Sequence, residues 1–183
     1  MRLILASASP RRAELLAAAG FDFEIVPADV DETPHADESP EAHTLRVARE
    51  KAWQIARQLS APDIVVLAAD TEVAAGGRIF GKPHDAHEAR RMLEQLSGCV
   101  HDVLTAVVIV GARGESVEVV TTRVQFAPLS PEEIQWYVGT GEPMGKAGGY
   151  AIQGRGARFI ERIEGSWSNV VGLPVATVHR LLA

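Results

Sequence analysis

Asp70, in the segment Ala69-Asp70-Thr71-Glu72-Val73, is a carboxylate that could take a proton from water or hold a metal ion. It follows the apolar run Ile64-Val65-Val66-Leu67, which predicts a buried strand with Asp70 at its carboxyl end. Open α/β sheets place ligands and reacting groups there, because the strand fixes the position and the next loop opens to a crevice. Strand position alone fits a turn aspartate equally well. Four other polar or glycine-rich stretches bear on the choice.

The first, Ala6-Ser7-Ala8-Ser9-Pro10-Arg11-Arg12, joins a strand to a helix start. Such a junction offers backbone N–H groups and the positive end of a helix dipole. The Ser7 and Ser9 hydroxyls and the Arg11 and Arg12 guanidinium groups add donors suited to phosphate oxygens. The second is the acidic loop with Asp29, Asp31 and Glu32. With Asp70 it could hold a hard divalent cation, which takes oxygen ligands. Of the three, Glu32 is the best candidate, and Asp29 and Asp31 read as solvated.

Phe80-Gly81-Lys82-Pro83 is the third, with Lys82 able to serve as a point charge for a phosphate. The fourth runs from Gly141 to Gly154 and holds five glycines with Glu142, Lys146 and Gln153. It makes a poor packing element and a good close-approach surface for a ligand. Tyr150 and Ile152 alternate as in a strand, which predicts order there. His101 and Thr105 share one strand face, and His101 reads as a structural histidine at the strand entrance. No second histidine or cysteine stands at metal-ligand spacing from His101, so a zinc site is not expected, and no Gly-x-Ser-x-Gly elbow or Walker A lysine motif is present.

The elements that must hold these groups follow from periodicity and punctuation. Strands are predicted at Arg2 to Ala6, Phe23 to Val26 and Ile64 to Ala68. Ser9 and Pro10 open a helix that stops at Gly20. Pro40 or Glu41 opens a long helix ending near Leu59, with Ala48, Ala52, Ile55, Ala56 and Leu59 as its core stripe and Lys51 on the shoulder. Gly76-Gly77 marks a hairpin between Val73-Ala74 and Arg78 to Phe80. A helix is predicted over Ala86 to Leu96, and an antiparallel hairpin over Val100 to Val110 and Ser116 to Phe126. Pro131 opens a helix over Glu132 to Val138, and a last one runs from Pro174 to Leu182. This is α/β with a mixed twisted sheet and flanking helices, in two lobes around a central cleft, with no linker to separate independent domains across residues 1–183.

Composition sets the outer bounds. With 46% hydrophobic and 23% charged residues, the chain of 183 residues is ordinary for a globular protein. A net charge of −6 argues against general nucleic-acid binding, which rests on neutralising phosphates. An anionic ligand would have to meet cations gathered locally. Cys99 is the only cysteine, and no apolar run reaches membrane-spanning length, so a cytoplasmic protein without a membrane segment is expected.

Together these stretches resemble the Maf family of nucleoside triphosphate pyrophosphatases, first known as septum-formation inhibitors. The resemblance runs over Ala6 to Arg12, Ala48 to Ala52, Ala69-Asp70-Thr71, Gly81-Lys82-Pro83, His101 to Thr105, Gly141 to Gly154 and Gly165 to Pro174. Lys146-Ala147-Gly148-Gly149-Tyr150-Ala151-Ile152-Gln153-Gly154 is similar to the branch acting on dTTP and UTP. The chain departs from the family pattern at Glu72, Ala106 and Gly145. The resemblance implies hydrolysis between the α and β phosphates, a divalent metal (Mg²⁺ or Mn²⁺) at Asp70 and Glu32, Asp70 as proton acceptor, and a homodimer. It also implies base selection by Arg12, Thr71 and Gln153, and a triphosphate in an acidic protein calls for gathered cations, which Arg11, Arg12, Lys51, Lys82 and Lys146 can supply. Two other readings stay open at this point. One is a pyrophosphatase for 7-methyl-GTP or for inosine and xanthosine triphosphates. The other is a nucleotide-binding regulator of cell division.

Overall fold

The computed structural model describes residues 2–183. Its β1 (Arg2–Leu5), α1 (Pro10–Ala18), β2 (Glu24–Ile25), α2 (Pro40–Leu59) and β3 (Ile64–Ala75) form the first half of the fold. After these come β4 (Arg78–Phe80), α3 (Ala86–Leu96), β5 (Val100–Gly111), β6 (Gly114–Phe126) and α4 (Pro131–Gly139). Two 3₁₀ turns (Ala147–Gly149 and Arg155–Phe159), β7 (Ile160–Glu164), α5 (Trp167–Val171) and α6 (Val175–Leu182) complete it. The seven strands make one mixed sheet in the order β2-β1-β3-β5-β6-β7, with β4 paired to β3. This confirms the α/β reading.

β1 pairs in parallel with β2 on one side and with β3 on the other. Parallel neighbours need crossover connections, which α1 and α2 supply. The chain therefore turns to opposite sides of β1, which makes the carboxyl end of β1 a topological switch point. The glycine hairpin is as expected: Gly76 (φ 57°) and Gly77 (φ 78°) take the left-handed backbone that a tight two-residue turn needs. Val73 then pairs with Phe80 and Ala75 with Arg78.

Several predicted bounds are corrected. β3 does not stop at Ala68 but continues to Ala75, so Asp70 lies inside a strand and not at its end. Its partner changes on the way, from parallel β1 at Ile64 to Leu67 to antiparallel β4 at Val73 to Ala75. The expected Phe23 to Val26 strand is only Glu24–Ile25. Tyr150 and Ile152 belong to no strand; the backbone there leaves one 3₁₀ turn and enters another. β7 and α5 carried no clear sequence signal and were not expected.

The chain divides into two compact units. Unit 1 is Met1–Thr71, Thr105–Val120 and Gly172–Ala183; unit 2 is Glu72–Leu104 and Thr121–Val171. In unit 1, Ala48, Ala52 and Ile55 of α2 pack on Ile4, Val66, Ala68, Ala106 and Val108. Alanines on both sides of that interface let the helix lie close to the strands. In unit 2, Phe126, Tyr137, Tyr150 and Phe159 pack with Leu93, Leu96 and Val124.

Candidate active site

The site in unit 1 grows from the carboxyl end of β1. Ser7, buried, follows the strand and accepts a hydrogen bond from the Ser9 N–H at 3.2 Å. Ser9 stands at the N-cap of α1, but its hydroxyl makes no capping bond. Pro10 fills the first turn, where an N–H is not needed. The helix then presents Arg11 and Arg12, both half-buried.

Arg12 is committed to the protein. Its Nε donates to the Gly172 carbonyl at 2.8 Å, Nη1 to Ser7 Oγ at 3.2 Å and Nη2 to Thr71 Oγ1 at 3.1 Å. Thr71 Oγ1 lies 2.9 Å from Thr105 Oγ1. One guanidinium thus joins the β1–α1 turn, β3 and the segment before α6. Burial pulls Arg12 below the usual arginine range, while Asp70 and Glu32 oppose that shift. It keeps its charge in any case.

Lys51 is not on a shoulder but inside, with 7% of its surface exposed. It continues a buried row along α2 through His43 and Val47, each one helical turn apart. Its Nζ donates to Asp70 Oδ1 at 2.7 Å and lies 2.5 Å from Glu32 Oε1. The structure therefore gathers Glu32, Lys51 and Asp70, and leaves Asp29 and Asp31 exposed on the loop. Asp31 Oδ1 is taken up by the Thr33 N–H at 2.9 Å.

Asp70 Oδ2 is buried and has no hydrogen-bond partner among the described residues. A buried carboxylate oxygen ordinarily has one, so this atom can accept a bond from a ligand or water. A ring nitrogen of buried His43 lies within 4.8 Å of an Asp70 oxygen. His43 escaped notice in the sequence, although its spacing of two helical turns from Lys51 marks the same face. The Asp70 and Glu32 carboxylates, both paired with the Lys51 ammonium, offer the oxygen donors that a hard divalent cation takes.

Unit 2 holds Lys82, Lys146 and Gln153. The Gly148 N–H donates to the Gly81 carbonyl at 3.1 Å, which brings the Lys82 loop beside the glycine-rich stretch. Lys146 Nζ donates to the Glu142 carbonyl at 2.5 Å. Gln153 is exposed on a turn. His101 is a structural residue, as read from the sequence. Its Nε2 is 2.8 Å from the Tyr150 hydroxyl, and its ring packs edge-on to Phe126. Burial lowers its pKa to about 4, so it is neutral near pH 7.

The Maf-like protein family profile matches residues 2–183. The dTTP/UTP pyrophosphatase of Anaeromyxobacter dehalogenans (strain 2CP-1 / ATCC BAA-258) is 55% identical, over 99% of this chain and 92% of its own. That of Myxococcus xanthus (strain DK1622) is 54% identical over 98% and 90%. That of Vibrio parahaemolyticus serotype O3:K6 is 48% identical over 100% and 96%. Among solved structures, the Staphylococcus aureus Ham1 protein aligns with a TM-score of 0.48 and 16% identity, over 69% of this chain and 72% of that one. With the profile spanning the described residues and relatives this similar over nine-tenths or more of their length, the chain belongs to the Maf-like protein family.

Proposed function

We propose that this chain hydrolyses dTTP and UTP between the α and β phosphates, releasing the monophosphate and pyrophosphate. The names of its relatives, similar over nearly their full length, support the substrate class. The observation that carries the chemistry is Asp70: one oxygen is fixed by Lys51, and the other is buried without a hydrogen-bond partner among the described residues.

In this reading Asp70 Oδ2 holds the attacking water and takes its proton. Lys51 keeps the carboxylate from rotating, and Glu32 balances the ammonium. A divalent cation on Asp70 and Glu32 would neutralise phosphate charge and lower the pKa of a bound water. Ser7, Ser9 and Arg11 at the start of α1 suit phosphate oxygens. Lys82 and Lys146 are assigned to phosphates, and Gln153 to the base. Arg12, tied to Ser7, Thr71 and Gly172, shapes the site and fixes Thr71. The homodimer belongs to the same proposal.

The deciding experiment incubates the protein with dTTP, UTP, CTP, GTP, ITP and 7-methyl-GTP, with Mg²⁺ or Mn²⁺, and scores pyrophosphate release. Preference for dTTP and UTP, abolished by chelator and restored by metal, is the expected result. Turnover in excess chelator would remove the metal from the reading. Equal rates on CTP or GTP would remove the substrate assignment.

A further inference from the structure

One carboxylate outside this machinery organises the glycine-rich stretch. Glu142 Oε1 accepts from the Tyr137 hydroxyl at 2.9 Å and from the Gly156 N–H at 3.0 Å. Its Oε2 accepts from the Arg155 N–H at 3.0 Å. The Tyr137 oxygen also accepts from the Ala151 N–H at 3.1 Å. The Glu142 backbone carbonyl takes the Lys146 ammonium. Gln153 therefore lies between two backbone tie points, Ala151 and Arg155, that both lead to the same pair of side chains.

The glycines answer to this arrangement. A Cβ at Gly154 would stand 2.5 Å from both Glu142 carboxylate oxygens. A Cβ at Gly156 would stand 2.7 Å from the Tyr137 hydroxyl and 2.8 Å from the Ala151 carbonyl. Gly154 has φ −115°, open to any residue, so space and not backbone angle requires glycine there. Burial would raise the Glu142 pKa, but the Arg155 and Gly156 N–H groups and the Tyr137 hydroxyl together hold it below the usual range. The carboxylate is thus a charged acceptor built into the stretch, not a solvated side chain.

We propose that Glu142 is a positioning residue for substrate selection: its carboxylate sets the place of Gln153 and its carbonyl that of Lys146, without itself touching the nucleotide. The inference rests on the reading of Gln153 as the base-selecting residue. A lone amide on an exposed turn can discriminate between bases only if its direction is fixed, because small misplacements cost most of a polar match.

The test measures kcat and KM for UTP and CTP with Mg²⁺, together with Tm, in the wild type, Glu142→Gln, Gln153→Ala and the double variant. Glu142→Gln keeps the size but replaces one acceptor oxygen with an NH₂ group that faces an N–H. The UTP-to-CTP ratio of kcat/KM should fall roughly tenfold, as expected for a lost hydrogen bond to a charged group, chiefly through KM for UTP. In the double variant the two losses should not add, because both act on the same contact. A general structural defect would slow both nucleotides alike and leave the ratio in place, and that result overturns the proposal. So does full additivity. If Gln153→Ala lowers the ratio and Glu142→Gln does not, only this inference fails. If Gln153→Ala leaves the ratio unchanged, the reading of Gln153 fails and takes the inference with it. Should Glu142→Gln not fold, Glu142→Asp and Tyr137→Phe carry the same comparison.

Discussion

Asp70 and Lys51 are the pair on which the proposed chemistry turns, and Asp70 can be removed with a near-isosteric change. Asp70→Asn keeps the shape of the side chain but can neither accept a proton nor bind a cation as an anion. Turnover of dTTP should fall by about 10²–10⁴-fold, the usual cost of a lost general base, with Tm little changed. Wild-type kcat in this variant would place the base elsewhere. Gln153→Ala belongs to the same scale and has a different expected signature. Uracil and thymine present an N3–H between carbonyl oxygens, which one amide can match, whereas cytosine presents an acceptor N3. The variant should lose preference for UTP over CTP while a shared chemical step proceeds, and a nucleotide panel reads this directly. At this scale the sequence revealed residue types better than their settings. Ser7 and Arg12 could be named because the end of β1 and the start of α1 show as an apolar run and Ser–Pro punctuation, Asp70 because it follows an apolar run, Glu32 from its acidic loop and Lys51 from the flank of an alanine stripe. That Lys51 is buried, or that Arg12 spends its donors on Gly172, Ser7 and Thr71, depends on contacts between residues as much as 160 positions apart. Local pattern holds no record of those.

α2 is the element that sets Lys51 against Asp70, and its start is secured by the Ser39 hydroxyl, which accepts from the Ala42 N–H at 3.2 Å. Just before it, Glu38 accepts from Arg46 Nε at 2.9 Å and Nη2 at 3.0 Å, and Arg46 Nη2 also donates to the Thr33 carbonyl at 3.0 Å. The first turns of the helix therefore tie down the loop that carries Glu32. Ser39→Ala should cost about 1 kcal/mol, the ordinary value of a lost N-cap, seen as a lower Tm or denaturant midpoint. An unchanged midpoint would mean that Glu38 and Arg46 hold this end alone. α2 was legible to within a residue or so, because Pro40 marks its start and the alanine stripe runs its length. β3 was not. Its second half, Ala69 to Ala75, mixes Asp, Thr and Glu with small residues, and it is held as strand by pairing with β4 at Val73 to Ala75. A polar segment made extended by its neighbours looks like a loop in sequence. For the same reason β7 stayed hidden: Ile160 to Glu164 holds three charged residues and two isoleucines without strict alternation, at a sheet edge paired to β6.

For the molecule as a whole, a net charge of −6 and an anionic substrate are reconciled by drawing a few cations inward. Its response to acid follows from groups buried with a fixed protonation state. Burial holds His101 at about 4, against 6.5 for a free histidine. Between those values the unfolded chain binds a proton at this residue that the native chain does not, so protons favour unfolding. Stability is full above about pH 6.5 and falls as pH drops toward 4, by about 1.4 kcal/mol per pH unit at most from this group. Glu38 acts lower: hydrogen bonds from Arg46 bring it to about 2 from 4.5, so its contribution is present above 4.5 and is lost as pH falls toward 2. The acid limb should therefore begin with His101. His101→Gln keeps a polar group for the Tyr150 hydroxyl and has nothing to titrate. Its Tm should be lower than wild type at pH 7.5, yet decline less between pH 7.5 and 5. Parallel declines in the two proteins would show that His101 is protonated in the folded state, and that the Tyr150 and Phe126 pocket tolerates the charge.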